Sequence, residues 1–548
     1  MKLVSSLITL ALCLCSNIGT AQEIAIGIFG EFTSWKQMHM AVVAAFDLDV
    51  RKNFEASIAQ RFGAPILSIP DLHPQVANVK VRMGTSHSRP DVGVGTALDM
   101  IFGTDGETPV VALIGGSSSS NTIPVASVAA VLKIPQISFS ATSPALSDKQ
   151  LYPYFLRTVP PDSIQGKAFW QWIVNFDIPR VVCLYGQEPY GEGLYLAMKK
   201  EADDASQSSR LTGVPMRYMP VNWVEEEARA AVLQVKAAGT PFVFLSMNSD
   251  RLEFLTTLEE EGLLGPEYQI VASESWPLLL TLPNGFMKWN PVSLGAKYPQ
   301  FQDLWGKMTA DDVVGVAARD RYKLNNFRVP IENATVPPVT DAAFQNLEIP
   351  DYSTFLFDAC YTLIFSINAL LQSGRAVNEI KGEILLEQVK LSRFEGISGK
   401  VGFDENGDRQ AAYELWNYQP DAWKIIGIFS AADSQMTLQL NPYWMFGVSS
   451  LLPPVEKTSC GAGYYKDNAR CLACPRGFYC SGLGSSPQQC SRGEFANETG
   501  SSSCLPCASG TFAAEQGSTR CTVCPRGFFG ASPGLEACTK CPKGQYMS

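Results

Sequence analysis

A chain of 548 residues exceeds what one ordinary hydrophobic core serves, so two or three domains are expected. Hydrophobic residues make up 46% and charged residues 18%, the composition of a globular protein and not of a disordered one. The formal net charge is −10 and Lys or Arg never run longer than two, which argues against nucleic acid or an anionic membrane surface as partner.

The N-terminus, MKLVSSLITLALCLCSNIGTAQEIAIG, has the form of a secretory signal peptide over residues 1–21. Lys2 precedes an apolar stretch from Leu3 to Cys15, and Gly19-Thr20-Ala21 supplies small residues for cleavage before Gln22. The apolar run is short of the roughly 20 residues a membrane span needs. No later segment reads as a span, so the expected location is extracellular: secreted, or on the outer face of the plasma membrane as part of a receptor. Two sequons, NAT at Asn333 and NET at Asn497, fit a glycosylated secreted surface.

From Glu23 to about Ile270 two signals alternate. The apolar runs IAIGIFG, PVVALIGG, PQISFSA, RVVCLYG, PFVFLSMN and YQIVASES predict buried parallel strands. Between them MHMAVVAAFDLDV, DSIQGKAFWQWIVNF, GEGLYLAMKKEA, EEARAAVLQVKAAG and RLEFLTTLEEEGLL carry helical spacing. Such alternation implies a doubly wound α/β architecture. The series is too long for one sheet, and YPYFLRTVPPDS, where Pro160 and Pro161 end a strand-like run, marks the passage to a second lobe. The chain loosens between Pro291 and Pro299, enters helical FQDLWGKM, then a Pro-rich stretch, RVPIENATVPPVTDAAFQNLEIPDY, expected to be an exposed loop. TFLFDACYTLIFSINALLQSG follows as a core helix, and GISGKVGFDENGDRQAAYELWNYQ as a hairpin-rich segment turning at Asn406-Gly407. The bilobed region is thus assigned to residues 22–450, lobe 1 over about 22–162 and 292–395, lobe 2 over about 163–291 and 396–450.

Residues 451–548 change composition to Gly, Ser, Pro and Cys. Six units of the form C-x-x-G-x-[FY] begin at Cys460, Cys474, Cys490, Cys507, Cys524 and Cys541, and Cys504, Cys521 and Cys538 each open a C-x-x-C pair. Units this small need staples. Cys504-x-x-Cys507 with Cys521-x-x-Cys524 comes near a zinc spacing, and a single C-x-x-C has a redox reading; an oxidising compartment favours disulfides. All eleven cysteines of the tail, Cys471 and Cys480 included, are therefore expected to pair, with connectivity undetermined. Eleven is odd and the sixth unit has no closing cysteine, so either one thiol is free or the natural chain continues; continuation is the preferred expectation. The units resemble ephrin-receptor-like cysteine-rich repeats, which implies a stalk.

The chemistry concentrates at strand ends. In GGSSSSNT, Gly115 to Thr122, a glycine turn leads from a strand into hydroxyls and the start of a helix, whose N-terminus favours an anion. The same serines also suit plain helix capping. A second cluster, Ser140, Thr142 and Ser143 in ISFSATSPALSDK, follows the next strand, and the two clusters are expected at one sheet edge, where open α/β sheets bind ligands.

The block GGSSSSNTIPVASVAAVLKIPQISFSATSPALSDKQLYPYFLRTVPPDSIQGKAF, with YGEG, ASESW, FDACYTLIFSINAL and GISGKVGFDENGD, resembles the ligand-binding ectodomain of class C G-protein-coupled receptors, metabotropic glutamate receptors above all. More broadly it is similar to the type I periplasmic-binding fold. The resemblance implies two lobes closing on an α-amino acid or similar carboxylate. It implies Ser119, helped by Ser120 and Thr142, at the ligand carboxylate; the Ser140 backbone and Asp162 near the ammonium; Tyr190 covering the ligand; and Glu274 paired with the ammonium. Charge-assisted bonds of this kind are worth roughly 1.5–3 kcal/mol each. The distal basic cluster that reads a glutamate side chain has no clear counterpart, with Arg82 as a partial match. A homodimer through lobe 1 is implied too, although the cysteines that brace that lobe and bridge the family's dimer are missing. Cys183 and Cys360 read as buried free thiols.

The expected function is ligand sensing, with closure passed through the stalk; the alternatives are a secreted solute-binding protein and an adhesion module with an idle cleft. An enzyme is not expected. The histidines, His39, His73 and His87, have no metal-ligand spacing, and Ser119 and Ser120 have no evident base. No metal, cofactor or nucleic acid is expected, and a membrane only through a segment outside these 548 residues.

Overall fold

A computed structural model describes residues 23–30, 32–69, 71–86, 89–104, 106–217, 224–247, 252–276, 282–318, 322–324, 349–420, 422–453, 462–467, 470–481 and 486–542. The signal segment, Asn333 with most of the Pro-rich stretch, Cys460 and the side chain of Cys471 lie outside them. The chain forms two compact units, residues 1–140, 149–158 and 293–408 in the first, 141–148, 159–292 and 409–548 in the second.

Lobe 1 begins with β1 (Ala25–Gly30), whose residues are buried on both faces as its unbroken apolar run requires, and α1 (Phe32–Arg51). After a short α2 (Ala56–Phe62) come β2 (Lys80–Thr85), α3 (Pro90–Phe102), β3 (Ala112–Gly115), α4 (Ser119–Leu132), β4 (Gln136–Ser138) and β5 (Phe155–Arg157). Lobe 2 continues with α5 (Asp162–Asn175), β6 (Val181–Gly186), α6 (Gly191–Asp204), β7 (Leu211–Met216), α7 (Glu225–Ala237), β8 (Phe242–Ser246), α8 (Leu252–Glu260), β9 (Gln269–Ala272) and β10 (Met287–Pro291). The chain then returns to lobe 1 as α9 (Tyr298–Lys307), α10 (Ala310–Ala318), β11 (Tyr322–Leu324), α11 (Ser353–Gln372), α12 (Gly382–Lys390) and the hairpin β12 (Arg393–Gly396) and β13 (Gly399–Gly402). Lobe 2 closes with β14 (Tyr413–Gln419), β15 (Ala422–Ser430) and β16 (Gln435–Leu438).

The lobe 1 sheet is parallel throughout, in the order β11-β2-β1-β3-β4-β5. The lobe 2 sheet runs β16-β15-β14-β10-β9-β8-β6-β7, parallel from β7 to β10 and antiparallel beyond. In each lobe the first strand has its successor on one side and the third strand on the other. The strand order therefore reverses between β1 and β3, and again between β6 and β8, and α/β sheets bind ligands beyond the carboxyl ends of such strands.

Alternation along the strands sorts the lobe 2 core into two faces. Cys183, Phe244 and Val271 pack with Trp172, Trp289 and Trp444 on one side; Val182, Leu184, Leu245 and Ala272 pack with Val232, Phe254 and Trp276 on the other. In lobe 1, α11 is long and apolar enough to cross a membrane by composition, yet 89% of its apolar window is buried as a core helix. Its Asp358 accepts N–H groups of Ile397 (2.9 Å) and Ser398 (3.0 Å), which ties the β12–β13 turn to lobe 1. The return to lobe 2, expected near residue 396, accordingly falls after Asp408. There a buried Arg157–Asp408 ion pair (2.6 Å) fastens the Asn406-Gly407 turn beside β5.

In the tail, Cys474 pairs with Cys480, Cys490 with Cys504, Cys507 with Cys521 and Cys524 with Cys538. In the last three the partners are 14 residues apart, so Cys504 and Cys507, and likewise Cys521 and Cys524, are bonded in opposite directions along the chain. The four cysteines with the zinc-like spacing are thus all in disulfides, none of them within a C-x-x-C. Cys541, expected among the disulfide formers, carries none here, and Cys183 and Cys360 are buried free thiols. Asn497 is exposed.

Candidate functional site

At the carboxyl edge of the lobe 1 sheet, β3 ends in two glycines with positive φ, Gly115 (125°) and Gly116 (66°). A Cβ at Gly115 would run into the Phe29 carbonyl, and one at Gly116 into Thr122, so only glycine makes this turn. The carbonyls of the turn are then captured one after another by side-chain donors. Gln136 Nε2 donates to Gly115 O (2.9 Å), Ser138 Oγ to Gly116 O (3.0 Å), Ser140 Oγ to Ser117 O (2.8 Å) and Thr122 Oγ1 to Ser118 O (2.7 Å). A planar trans peptide points its N–H opposite to its C=O. Four captured carbonyls therefore turn the amides that follow them to the other side, where they lead into the N-terminus of α4. Successive amides of this kind form an anion-binding concavity, reinforced by the helix dipole. Ser118 stands at the N-cap without a side-chain cap bond, so simple capping does not account for the serines. Ser119, buried, is the first residue of α4, and half-buried Ser120 follows it.

At the corresponding edge of lobe 2 the chemistry is opposite. Glu274, just after β9, is only 3% exposed. Thr142 Oγ1 donates to its Oε1 (3.4 Å) and Gln165 Nε2 donates to its Oε2. Burial pushes the Glu274 pKa up; hydrogen bonds from Gln165 and Tyr190 and the charge of Lys288 pull the other way. Lys288 is itself buried on β10 and donates to Trp276 O. Asp162 opens α5, fully buried, and its N–H donates to Thr142 O (2.8 Å). Asp162 and Gln165, three apart on that helix, share a face.

Beside them, Glu188 follows β6 and accepts the N–H groups of Gly191 (2.6 Å) and Tyr190 (2.7 Å), closing the N-terminus of α6. Burial pushes its pKa up to about 7, against the pull of those amides and with Glu274 and Glu192 adding to the rise. Tyr190 is buried, and its hydroxyl donates to Ser275 Oγ (3.3 Å), which donates on to Met247 O (2.7 Å).

Ser119, Ser120 and Ser140 thus meet at one edge, and Thr142, Asp162, Tyr190 and Glu274 at another. Two residues apart after β4, Ser140 locks the lobe 1 turn while Thr142 bonds Glu274 within the second unit. Asp162 is the first residue of the helix that DSIQGKAFWQWIVNF predicts. Arg82 does not join either group. Its guanidinium donates to the carbonyls of Met100 (2.9 Å), Thr108 (3.1 Å) and Asp99 (3.4 Å), at the end of α3 and the approach to β3, which is the opposite, amino-terminal edge of the sheet. It serves as a C-terminal helix cap.

Sequence reasoning missed Gln165, Glu188, Lys288, Gln136 and Ser138. A polar residue inside an apolar run, Lys288 in FMKWNP or Gln136 in IPQISF, was the available signal.

Residues 66–421 match the receptor family ligand binding region. The chain belongs to that family. Among its relatives, metabotropic glutamate receptor 6 of Rattus norvegicus is 24% identical over 422 residues, that of Mus musculus 24% over 400, and that of Oryctolagus cuniculus 23% over 408. Each match covers 67% of this chain and 45% of the relative, so the chain spans about half the length of the curated relatives it matches. Residues 510–548 of the tail are similar to tyrosine-protein kinase ephrin type A/B receptor-like sequences. Among the described residues no group of three or more His, Cys, Asp or Glu is placed to hold a metal ion.

Proposed function

We propose that the chain is the extracellular ligand-sensing part of a receptor and binds a small α-amino acid or closely similar carboxylate in the cleft between its lobes. The Gly116–Ser120 turn takes the ligand carboxylate; Glu274, with Asp162 and Tyr190, takes the ammonium. Lobe closure is then passed through the cysteine-rich stalk to a membrane element. The observation that carries this reading is the opposite chemistry of the two sheet edges: oriented amides and hydroxyls at one, buried carboxylates at the other. An α-amino acid is the smallest common ligand with matching opposite ends. Membership of the receptor family supports the position between the lobes, and a homodimer through lobe 1.

The test is a thermal-shift screen of the secreted chain against the protein amino acids, followed by calorimetry. At least one amino acid should raise the melting temperature, and Ser119→Ala and Glu274→Gln should each weaken its binding. A screen in which no amino acid shifts the melting, or in which both variants respond as the wild type does, refutes the reading.

A further inference from the structure

The lobe 2 edge contains one polar atom that the receptor reading leaves unused. Gln165 is fully buried in the first turn of α5, and its Nε2 is committed to Glu274 Oε2. With Nε2 donating to Glu274, the acceptor end of the amide is left over. That acceptor, Gln165 Oε1, is buried without a hydrogen-bond partner. Because both atoms sit on one planar amide, Oε1 stands beside the Glu274 carboxyl and not in some remote part of the core. A buried amide oxygen without a donor is expensive, and native interiors rarely keep one without a reason.

Among the described residues no donor reaches that oxygen: Glu188 is held by the α6 amides, and the Thr142 hydroxyl donates to Glu274.

We infer that Gln165 Oε1 is a second acceptor for the ligand's ammonium group, so that Gln165 and Glu274 together select a head group with at least two N–H donors. This rests on the amino-acid reading above and adds to it a residue and a substrate class. One carboxylate oxygen already satisfies a single N–H. A second acceptor at an angle to it rewards a primary or secondary ammonium, and it is left empty by a tertiary or quaternary one. Gln165 also acts as a positioning residue, since its Nε2 fixes the rotation of the Glu274 carboxyl.

The test uses the full secreted chain. Its probes are the twenty protein amino acids, and then the N-methyl, N,N-dimethyl and N,N,N-trimethyl forms of whichever one raises the melting temperature most. Wild-type affinity should drop about tenfold or more on passing from the N-methyl to the N,N-dimethyl form, where the second N–H is lost. Gln165→Met should weaken the parent amino acid by a larger factor than the N,N-dimethyl form, which flattens the series. Gln165→Leu, which likewise removes the acceptor, should also flatten the step, and it serves where Gln165→Met is not secreted.

A ligand-free arm separates the two levels. Thermal unfolding of Gln165→Met, Glu274→Gln and the double variant should be non-additive, because each side chain holds the other. If the wild type binds amino acids yet shows no step in the series, or Gln165→Met weakens all forms equally, the inference is overturned while the receptor reading stands. An additive cycle overturns the positioning role whatever binds. If the wild type binds none of the probes, the amino-acid reading falls and the selectivity falls with it.

Discussion

The two lobes share a strand order and differ in what they place at its carboxyl edge. In lobe 1 a sequence of small residues, GGSSSS, leaves backbone amides as the polar groups of the proposed site, because side chains behind the turn absorb its carbonyls. In lobe 2 the polar groups of the proposed site are side chains, and the backbone is the support: amides of α6 hold Glu188, and the Thr142 carbonyl holds the start of α5. A glycine-made site tolerates no added atom, whereas a side-chain site tolerates shape changes but not loss of charge. The same fold thus offers two ways of building polarity, with different sensitivities to substitution.

That contrast is sharpest at Gly115. Gly115→Ala places a methyl on the Phe29 carbonyl at a φ that alanine avoids, and should cost ~3 kcal/mol or more of stability in thermal or denaturant unfolding, with loss of ligand binding. Arg82→Met should cost about 3 kcal/mol by leaving three buried or partly buried carbonyls without their donor. It should not change amino-acid affinity in calorimetry; a large loss of affinity in a folded Arg82→Met protein would return Arg82 to the site. Glu274→Gln should lower affinity about 10- to 100-fold while the fold survives, the expected size of a charge-assisted bond. A loss of binding equal in Glu274→Gln and in a distant lobe 2 core variant would erase the distinction between the two kinds of site.

Smaller effects refine it. Ser140→Ala removes one carbonyl partner of the lobe 1 turn and should cost about 1 kcal/mol in unfolding, with a modest fall in affinity. The weakest signal is pH dependence. Glu188 has a folded pKa of about 7, above its value in the unfolded chain, so the folded state binds more protons between those values. Its contribution is fully present below the unfolded pKa and is lost as pH rises through about 7. Melting temperatures measured from pH 4.5 to 8 should therefore decline less in Glu188→Gln than in the wild type; identical slopes would contradict that assignment.

Much of this was legible beforehand for a definite reason. Buried parallel strands show as apolar runs, and β1, β3, β4, β6, β8 and β9 all carry one. Three of the strands that escaped notice show why. KVRMGT (β2) alternates charge with apolar residues and contains the buried Arg82; MKWNP (β10) holds the buried Lys288; LTGVPM (β7) contains Pro215, which an edge strand accommodates. In the first two, a charge whose partners come from far along the chain is invisible to local pattern. Glu274 was legible by resemblance, while Gln165 was not, because a glutamine three residues into a helix looks like any solvated position.

The sequence alone determined that the chain alternates strand and helix in two series, that a glycine-serine turn leads into a helix start, and that a disulfide-stapled tail follows. Those are local properties, set by apolar periodicity, glycine's access to positive φ and cysteine spacing. Only the tertiary structure decided which hydroxyl serves which lobe, that Arg82 caps a helix at the far edge, and that Gln165 and Glu274 face one another across 109 residues of chain. Such pairings depend on where the strand order reverses and on which side chains burial forces to find partners. Neither is written in any one stretch of the chain.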